Sequence, residues 1–208
     1  MKPVIFLLMF ISMHSFANFK EGKHYITIET AVISKKPKVT EYFSYLCPHC
    51  YNFEKKYIPD LKKALNTRQI EFQQSHAELS NDQVSRAMSR AHAISYYLNI
   101  EKDIKIKLFE AVQKDRKQFT EEGALKKFFV AQGISEKDFD AQAKGFMVNN
   151  MIEQMRQSAQ EAKIRGVPAF VVNNKYLIQS NSVKTYDELT KLILFVADKY
   201  SVKSKKKT

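Results

Sequence analysis

The sequence predicts an α/β domain carrying an inserted block of helices. Three observations carry that prediction. A β-type run, a helical period and a second β-type run follow one another between Lys38 and Ala77. A succession of helical periods then fills the chain from Asn81 to Ile164. Two-residue alternation returns at Ala169–Gln179, ahead of a closing amphipathic helix. A chain of 208 residues suits one domain or a domain with an insertion. Hydrophobic residues make up 44% of it, with 15 Phe and 10 Tyr, so an ordinary core can form.

The first segment reads as an export leader. Lys2 gives a positive start, Val4–Ile11 an uncharged apolar run, and Ser15 and Ala17 the small residues of a cleavage site. The run is too short to span a bilayer, which takes about 20 apolar residues. Removal of residues 1–17 leaves 191, beginning at Asn18. Export places the chain where disulfides persist, yet two cysteines cannot build a disulfide scaffold, so packing must stabilise the fold. Lys and Arg number 34 against 22 Asp and Glu. With export and no Arg-rich or aromatic-interleaved patch, nucleic acid is not an expected partner. The tail "KSKKKT" reads as a solvated, disordered end.

Each later element has its own signal. "KVTEYFSYL" (Lys38–Leu46) is rich in β-branched and aromatic residues and predicts a strand. From Tyr51 to Leu65 apolar residues recur at helical spacing up to Asn66, with Pro59 forcing a kink or break. "IEFQQSHA" (Ile70–Ala77) predicts a second strand, parallel to the first across the helix and the seed of a parallel sheet. Asn81 is the expected N-cap of a helix carrying Val84, Ala87, Met88, Ala91 and Ile94 on one face. Four more helical stretches follow, broken near Gly133–Ser135 and Gly145. "AFVVNNKYLIQ" predicts a hairpin turning at Asn173–Asn174, a pair suited to positive φ. "TYDELTKLILFVADKY" predicts a helix capped by Thr185, with Glu188 three residues on.

The chain's only cysteines, Cys47 and Cys50, stand three apart in "FSYLCPHCYNF". As a structural clip they would close a loop of about four residues, worth roughly 2 kcal/mol, a poor sole brace. As half a zinc site they lack a second pair, since His76 and His92 lie sixteen apart with no C-x-x-C or H-x-x-H partner. As a redox pair they have a mechanism. Cys47 falls where strand gives way to helix, so its sulfur meets unpaired N–H groups and the positive end of the helix dipole. Pro48 suits the helix start, and His49 offers a hydrogen bond or a nearby charge. Cys50, one turn in, is then the resolving thiol.

"EYFSYLCPHCYNFE" and "RGVPAFVVNNKY" together resemble the DsbA family of periplasmic thiol oxidases, over about Phe19 to Tyr200. The resemblance implies a thioredoxin-like fold: residues 18–77 and 148–201 as one discontinuous domain, 78–147 as the helical insertion, 202–208 as the tail. It implies a protein disulfide oxidoreductase of the periplasm that needs no bound cofactor and does not span the membrane. Its expected partners are unfolded or reduced exported proteins and a DsbB-like, quinone-linked membrane oxidase. Cys47 becomes the exposed nucleophile and Cys50 its partner. Pro168 takes a cis bond after Val167, shaping a loop that pairs with an extended substrate. Glu41 matches a buried acid beneath the dithiol, the alternative being an exposed strand acid. The family often pairs that acid with a lysine, where this chain has Gln74, and a neutral partner leaves burial to raise the Glu41 pKa. His76 reads as a satisfied strand-end histidine. Phe43, Tyr45, Tyr51 and Phe53 are assigned chiefly to the core, with some facing a peptide groove. A disulfide isomerase or reductase, or a non-redox peptide-binding chaperone on the same fold, is the competing reading.

Overall fold

The computed structural model describes residues 19–29, 31–80, 82–121 and 123–200. The expected leader with its cleavage site at Ala17, the start at Asn18 and the tail 202–208 lie outside the described residues, as does Asn81. Five strands form one mixed sheet: β1 (Tyr25–Thr27), β2 (Lys38–Phe43), β3 (Glu71–His76), β4 (Ala169–Val172) and β5 (Tyr176–Ile178), in the order β1-β5-β4-β2-β3. The parallel seed does form, with Lys38 opposite Glu71 and Phe43 opposite His76. It grows no further, because β4 joins β2 antiparallel and β5 and β1 continue in that sense.

β2 ends three residues short of the expected Leu46. The Ser44 carbonyl accepts from the Cys47 amide at 3.0 Å and the Ser44 hydroxyl from the Leu46 amide at 3.2 Å. These bonds turn the chain out of the sheet before the cysteines, which fixes where the dithiol sits. At the hairpin Asn173 and Asn174 adopt φ of 53° and 60°, the conformation a tight turn between twisted strands requires. The short strand β1 was not expected from the sequence.

Eight helices surround the sheet among the described residues: α1 (Pro48–Lys56), α2 (Ile58–Thr67), α3 (Gln83–Tyr97), α4 (Glu101–Gln113), α5 (Ala124–Ala131), α6 (Glu136–Ala143), α7 (Phe146–Glu161) and α8 (Tyr186–Lys199). The break that Pro59 imposes falls at Tyr57, and the proline then occupies the first turn of α2, where no N–H is owed to the ladder. Asp82, not Asn81, caps α3, its carboxylate accepting from the Ser85 amide at 2.7 Å.

Period-two alternation distributes the strands between two packed faces. Val39, Phe170 and Val172 face one side, where Leu61 and Leu65 of α2 and Leu189, Leu192, Ile193 and Val196 of α8 cover them. Tyr42, Ala169 and Val171 face the other, against Ala162 just past α7. Each fully buried aliphatic side chain contributes about 1.5–3 kcal/mol against exposure. The helices of the insertion have a core of their own around Met88, Phe109 and Phe129, and it takes in Phe43, Tyr45 and Cys50. The boundary expected between residues 147 and 148 falls inside α7, which places Val148 and Met155 in that helical core and its end against the sheet.

Thr185 caps α8, accepting from the Glu188 amide at 3.1 Å. The Glu188 carboxylate reaches past the cap to the Lys184 amide at 2.8 Å. Thr185→Ala removes the acceptor while leaving the core of α8 in place. Urea unfolding is expected to show a loss of about 1 kcal/mol. An unchanged midpoint would mean that packing alone holds this end.

Candidate active site

Cys47 is the N-cap of α1, in extended backbone conformation, and Pro48 opens the helix. The Cys47 sulfur therefore faces the first turn, where it accepts from the Cys50 amide at 3.3 Å. Across the chain its thiol donates to the Val167 carbonyl at 3.3 Å. Cys47 is partly exposed, whereas Cys50 is 1% exposed and packs in the helical core. Both are free thiols in this structure.

This geometry lowers the Cys47 pKa from 9.0 to about 6. The largest cause is a hydrogen bond from the Cys50 thiol; the Cys50 and His49 amides add to it, the His49 charge adds less, and burial opposes all of these. The sequence points to the helix end and the histidine, but the neighbouring thiol outweighs both. Cys50 is pushed far up, by burial first and then by the thiolate beside it, and stays protonated. The two thiols are thus driven apart in acidity.

His49 and Pro48 are exposed at the helix start, and the His49 Nδ1 lies 3.0 Å from the Tyr186 hydroxyl. Val167–Pro168 is a cis peptide bond leading into β4. The fold therefore brings Cys47, Pro48, His49, Cys50, Val167 and Pro168 to one place from two segments more than a hundred residues apart.

Glu41 lies beneath them on β2, 1% exposed, which disposes of the exposed alternative. It pairs across the strands with Gln74. The Gln74 Nε2 donates to Glu41 at 2.7 Å and to Glu54 at 2.6 Å, while its Oε1 accepts from Lys62 at 3.0 Å and Lys105 at 2.7 Å. One neutral amide thus separates two carboxyls from two ammonium groups. Burial, followed by the Glu54 charge, raises the Glu41 pKa from 4.5 to about 8, while the Gln74 hydrogen bond and both lysines pull it down. The sequence anticipated the rise but not the lysines, which arrive on α2 and α4 with no local signal. A charged Glu41 would raise Cys50 further, so the acid and the resolving thiol sense one another.

The other candidates are structural. His76 is buried, with Nδ1 2.9 Å from the Ser89 hydroxyl, and burial pushes its pKa down to about 3. His92, also buried, is pushed to about 4. Both rings pack against Phe43. No group of metal-ligating side chains occurs among the described residues. Phe43, Tyr45 and Phe53 are fully buried, so these three belong to the core; Tyr51 is half-buried and packs on Phe109 with its hydroxyl on Glu110.

A groove of about 1230 Å³ lies beside the dithiol, lined by His49, the Val167–Pro168 loop, the end of β5 and the start of α8. Tyr186 stands in that lining, a neighbour of His49 that sequence reasoning missed because it appeared there only as part of the α8 helical run.

Comparison with known proteins agrees with this geometry. Residues 38–191 match the family model of the DSBA-like thioredoxin domain. The chain is 34% identical over 170 residues to a thiol:disulfide interchange protein DsbA of Yersinia pestis, covering 81% of each. It is 34% identical to that of Haemophilus influenzae, covering 87% of each. Among solved structures, Pseudomonas aeruginosa DsbA superposes with a TM-score of 0.78 at 25% identity, over 87% of this chain and 94% of that one. A Proteus mirabilis DsbA variant solved with a non-covalently bound peptide gives 0.74 at 26% identity, over 88% and 98%. The chain belongs to the DSBA-like thioredoxin domain family and is a protein disulfide oxidoreductase.

Proposed function

We propose that the chain works as an oxidant: a thiol oxidase that donates its Cys47–Cys50 disulfide to reduced or unfolded proteins exported to the periplasm. One observation carries this direction, the lowered pKa of Cys47, about 6 where an ordinary thiol has 9.0. A thiolate stabilised in the reduced protein makes the bridged form the stronger oxidant. At pH 7 the shift is worth about 1 kcal/mol once partial exposure is discounted.

The steps follow from the two environments. A substrate thiolate attacks the Cys47 sulfur, the Cys47–Cys50 bond breaks, and Cys50 leaves and takes up a proton. A second substrate thiolate then attacks the substrate sulfur of the mixed disulfide and Cys47 departs as a thiolate. Two substrate thiols have lost two electrons, and the bridge has gained them. Pro48 and His49 shape the helix end that receives the charge. Glu41, protonated at neutral pH, supplies a group through which the Cys50 proton can pass. Val167 and Pro168 present backbone to an extended substrate, a role supported by the peptide bound to the Proteus mirabilis relative.

The reading divides the chain into a thioredoxin-like unit, 18–77 with 148–201, and a helical insertion, 78–147. It makes a DsbB-like, quinone-linked membrane protein the acceptor that restores the bridge, with no resident cofactor. No described helix is long and apolar enough to cross a membrane.

Thiolate absorbance of the reduced chain against pH tests the claim, alongside equilibration with glutathione. A transition near pH 6 and ready reduction by glutathione are expected. An ordinary alkaline thiol would overturn it. Stability follows with a definite sign. The Cys47 pKa is lower folded than unfolded, so its contribution is complete above pH 9 and is lost as pH falls to 6. The reduced form is expected to unfold at the higher denaturant midpoint at pH 7, with the gap narrowing towards pH 6. Equal midpoints at both values would count against it.

A further inference from the structure

We propose that the groove beside the dithiol selects cysteine-containing segments with acidic flanks, an inference that rests on the oxidase reading. Lys163, Arg165 and Lys184 all lie in the groove lining and are exposed, and no Asp or Glu shares that lining. Some exposed or half-exposed cations elsewhere are paired with carboxylates, as Arg68 is with Asp198, Lys114 with Glu110 and Lys126 with Glu136 and Asp140. The three groove cations have no such partner among the described residues. Glu188, in the first turn of α8, is already held by the Lys184 amide and by its own place in the helix cap.

The placement matters because His49 and Val167, which flank the reacting sulfur, belong to the groove lining. Cys47 lies 3.3 Å from the Val167 carbonyl. Arg165 stands two residues before Val167, so their Cα atoms are at most about 8 Å apart. An extended substrate advances about 3.3 Å per residue. A carboxylate two to four residues from the substrate cysteine therefore falls within reach of the cations as its sulfur meets Cys47. The rest of the lining mixes apolar Ile164, Leu177 and Leu189 with polar Gln179, Ser180 and Asn181 and holds no carboxylate. The site thus favours short apolar segments carrying negative charge, and opposes segments carrying Lys or Arg. The effect acts mainly on the rate of encounter and weakens with salt.

The test is a single-turnover series with the oxidised full chain and three two-cysteine peptides alike but for a Glu, Gln or Lys three residues from the first cysteine. Rates are expressed per peptide thiolate, since the flanking charge also shifts the peptide thiol. The Glu peptide should react about tenfold faster than the Lys peptide at low ionic strength, with Gln between, and the spread should shrink in 0.5 M salt. Lys163→Glu with Arg165→Glu should reverse the order, with an unchanged far-ultraviolet circular dichroism spectrum reporting an intact fold. Lys127→Glu with Lys137→Glu makes the same change in net charge outside the groove and should keep the original order. Equal rates for the three peptides on the unaltered chain overturn the inference while leaving the oxidase reading standing. An equal loss of order in both double variants overturns it too, assigning the effect to bulk charge. Failure to oxidise any peptide overturns both readings.

Discussion

Cys47→Ser will abolish disulfide donation, with oxidation of a reduced substrate protein falling to the uncatalysed background. A thousandfold loss corresponds to about 4 kcal/mol of transition-state stabilisation. The substitution is a sharp probe because it keeps most of the local structure. A serine hydroxyl can still accept from the Cys50 amide, as the sulfur does at 3.3 Å, so α1 keeps its cap. What disappears is the only accessible thiol, and the buried Cys50 cannot replace it. Cys50→Ser should behave differently. Its reactive thiolate survives without a resolving partner, so reaction with a substrate disulfide leaves a long-lived mixed disulfide visible on a non-reducing gel. Full oxidase activity in Cys47→Ser would sink the assignment of roles. Cellular function unchanged by the loss of oxidase activity would favour a non-redox peptide-binding module on the same fold.

The features legible in the sequence are those whose cause is local. A strand-to-helix change of period marks the Cys47 position, and Thr185 and Asn173–Asn174 announce a cap and a turn within a few residues. The pairing of Glu41 with Gln74 was also reachable, since two parallel strands joined by a helix have few registers that bury one apolar set. Non-local causes were not legible. The three residues of β1 show a strand only because β5 is there to receive them. The end of β2 depends on a serine acting on amides two and three residues ahead, inside a run that is otherwise good strand sequence. Lys105 comes from the inserted helices, and nothing about its neighbours on α4 marks it as the residue that will be buried against Gln74. Likewise the dominant influence on Cys47 is a side-chain hydrogen bond, whose direction a spacing of three residues does not reveal.

Glu41→Gln is expected to make the protein more stable at pH 8 while making it a slower oxidase. The carboxyl is fully buried and its pKa is raised from 4.5 to about 8, by burial before the Glu54 charge. A folded-state pKa above the unfolded one gives stability that is complete below pH 4.5 and is lost as pH climbs to 8. At pH 7 the unfolded chain is ionised and the folded acid is still largely protonated. That difference of about 2.5 pH units amounts to roughly 3 kcal/mol. Glutamine has nearly the same shape, can accept the Gln74 hydrogen bond through its carbonyl, and never ionises. The variant should therefore gain about 2–3 kcal/mol over the parent at pH 7, slightly more at pH 8, and nothing at pH 4.5, read as denaturant midpoints. A gain that is flat across this range would show that the acid is not neutral in the folded chain. Retaining a buried acid at such a cost makes sense if the proton does work: Cys50 must gain one when the bridge opens and lose one when it is restored. Reoxidation of the reduced variant by a disulfide should accordingly slow, most clearly near pH 8 and above, where the parent's Glu41 is ionised and can accept the Cys50 proton.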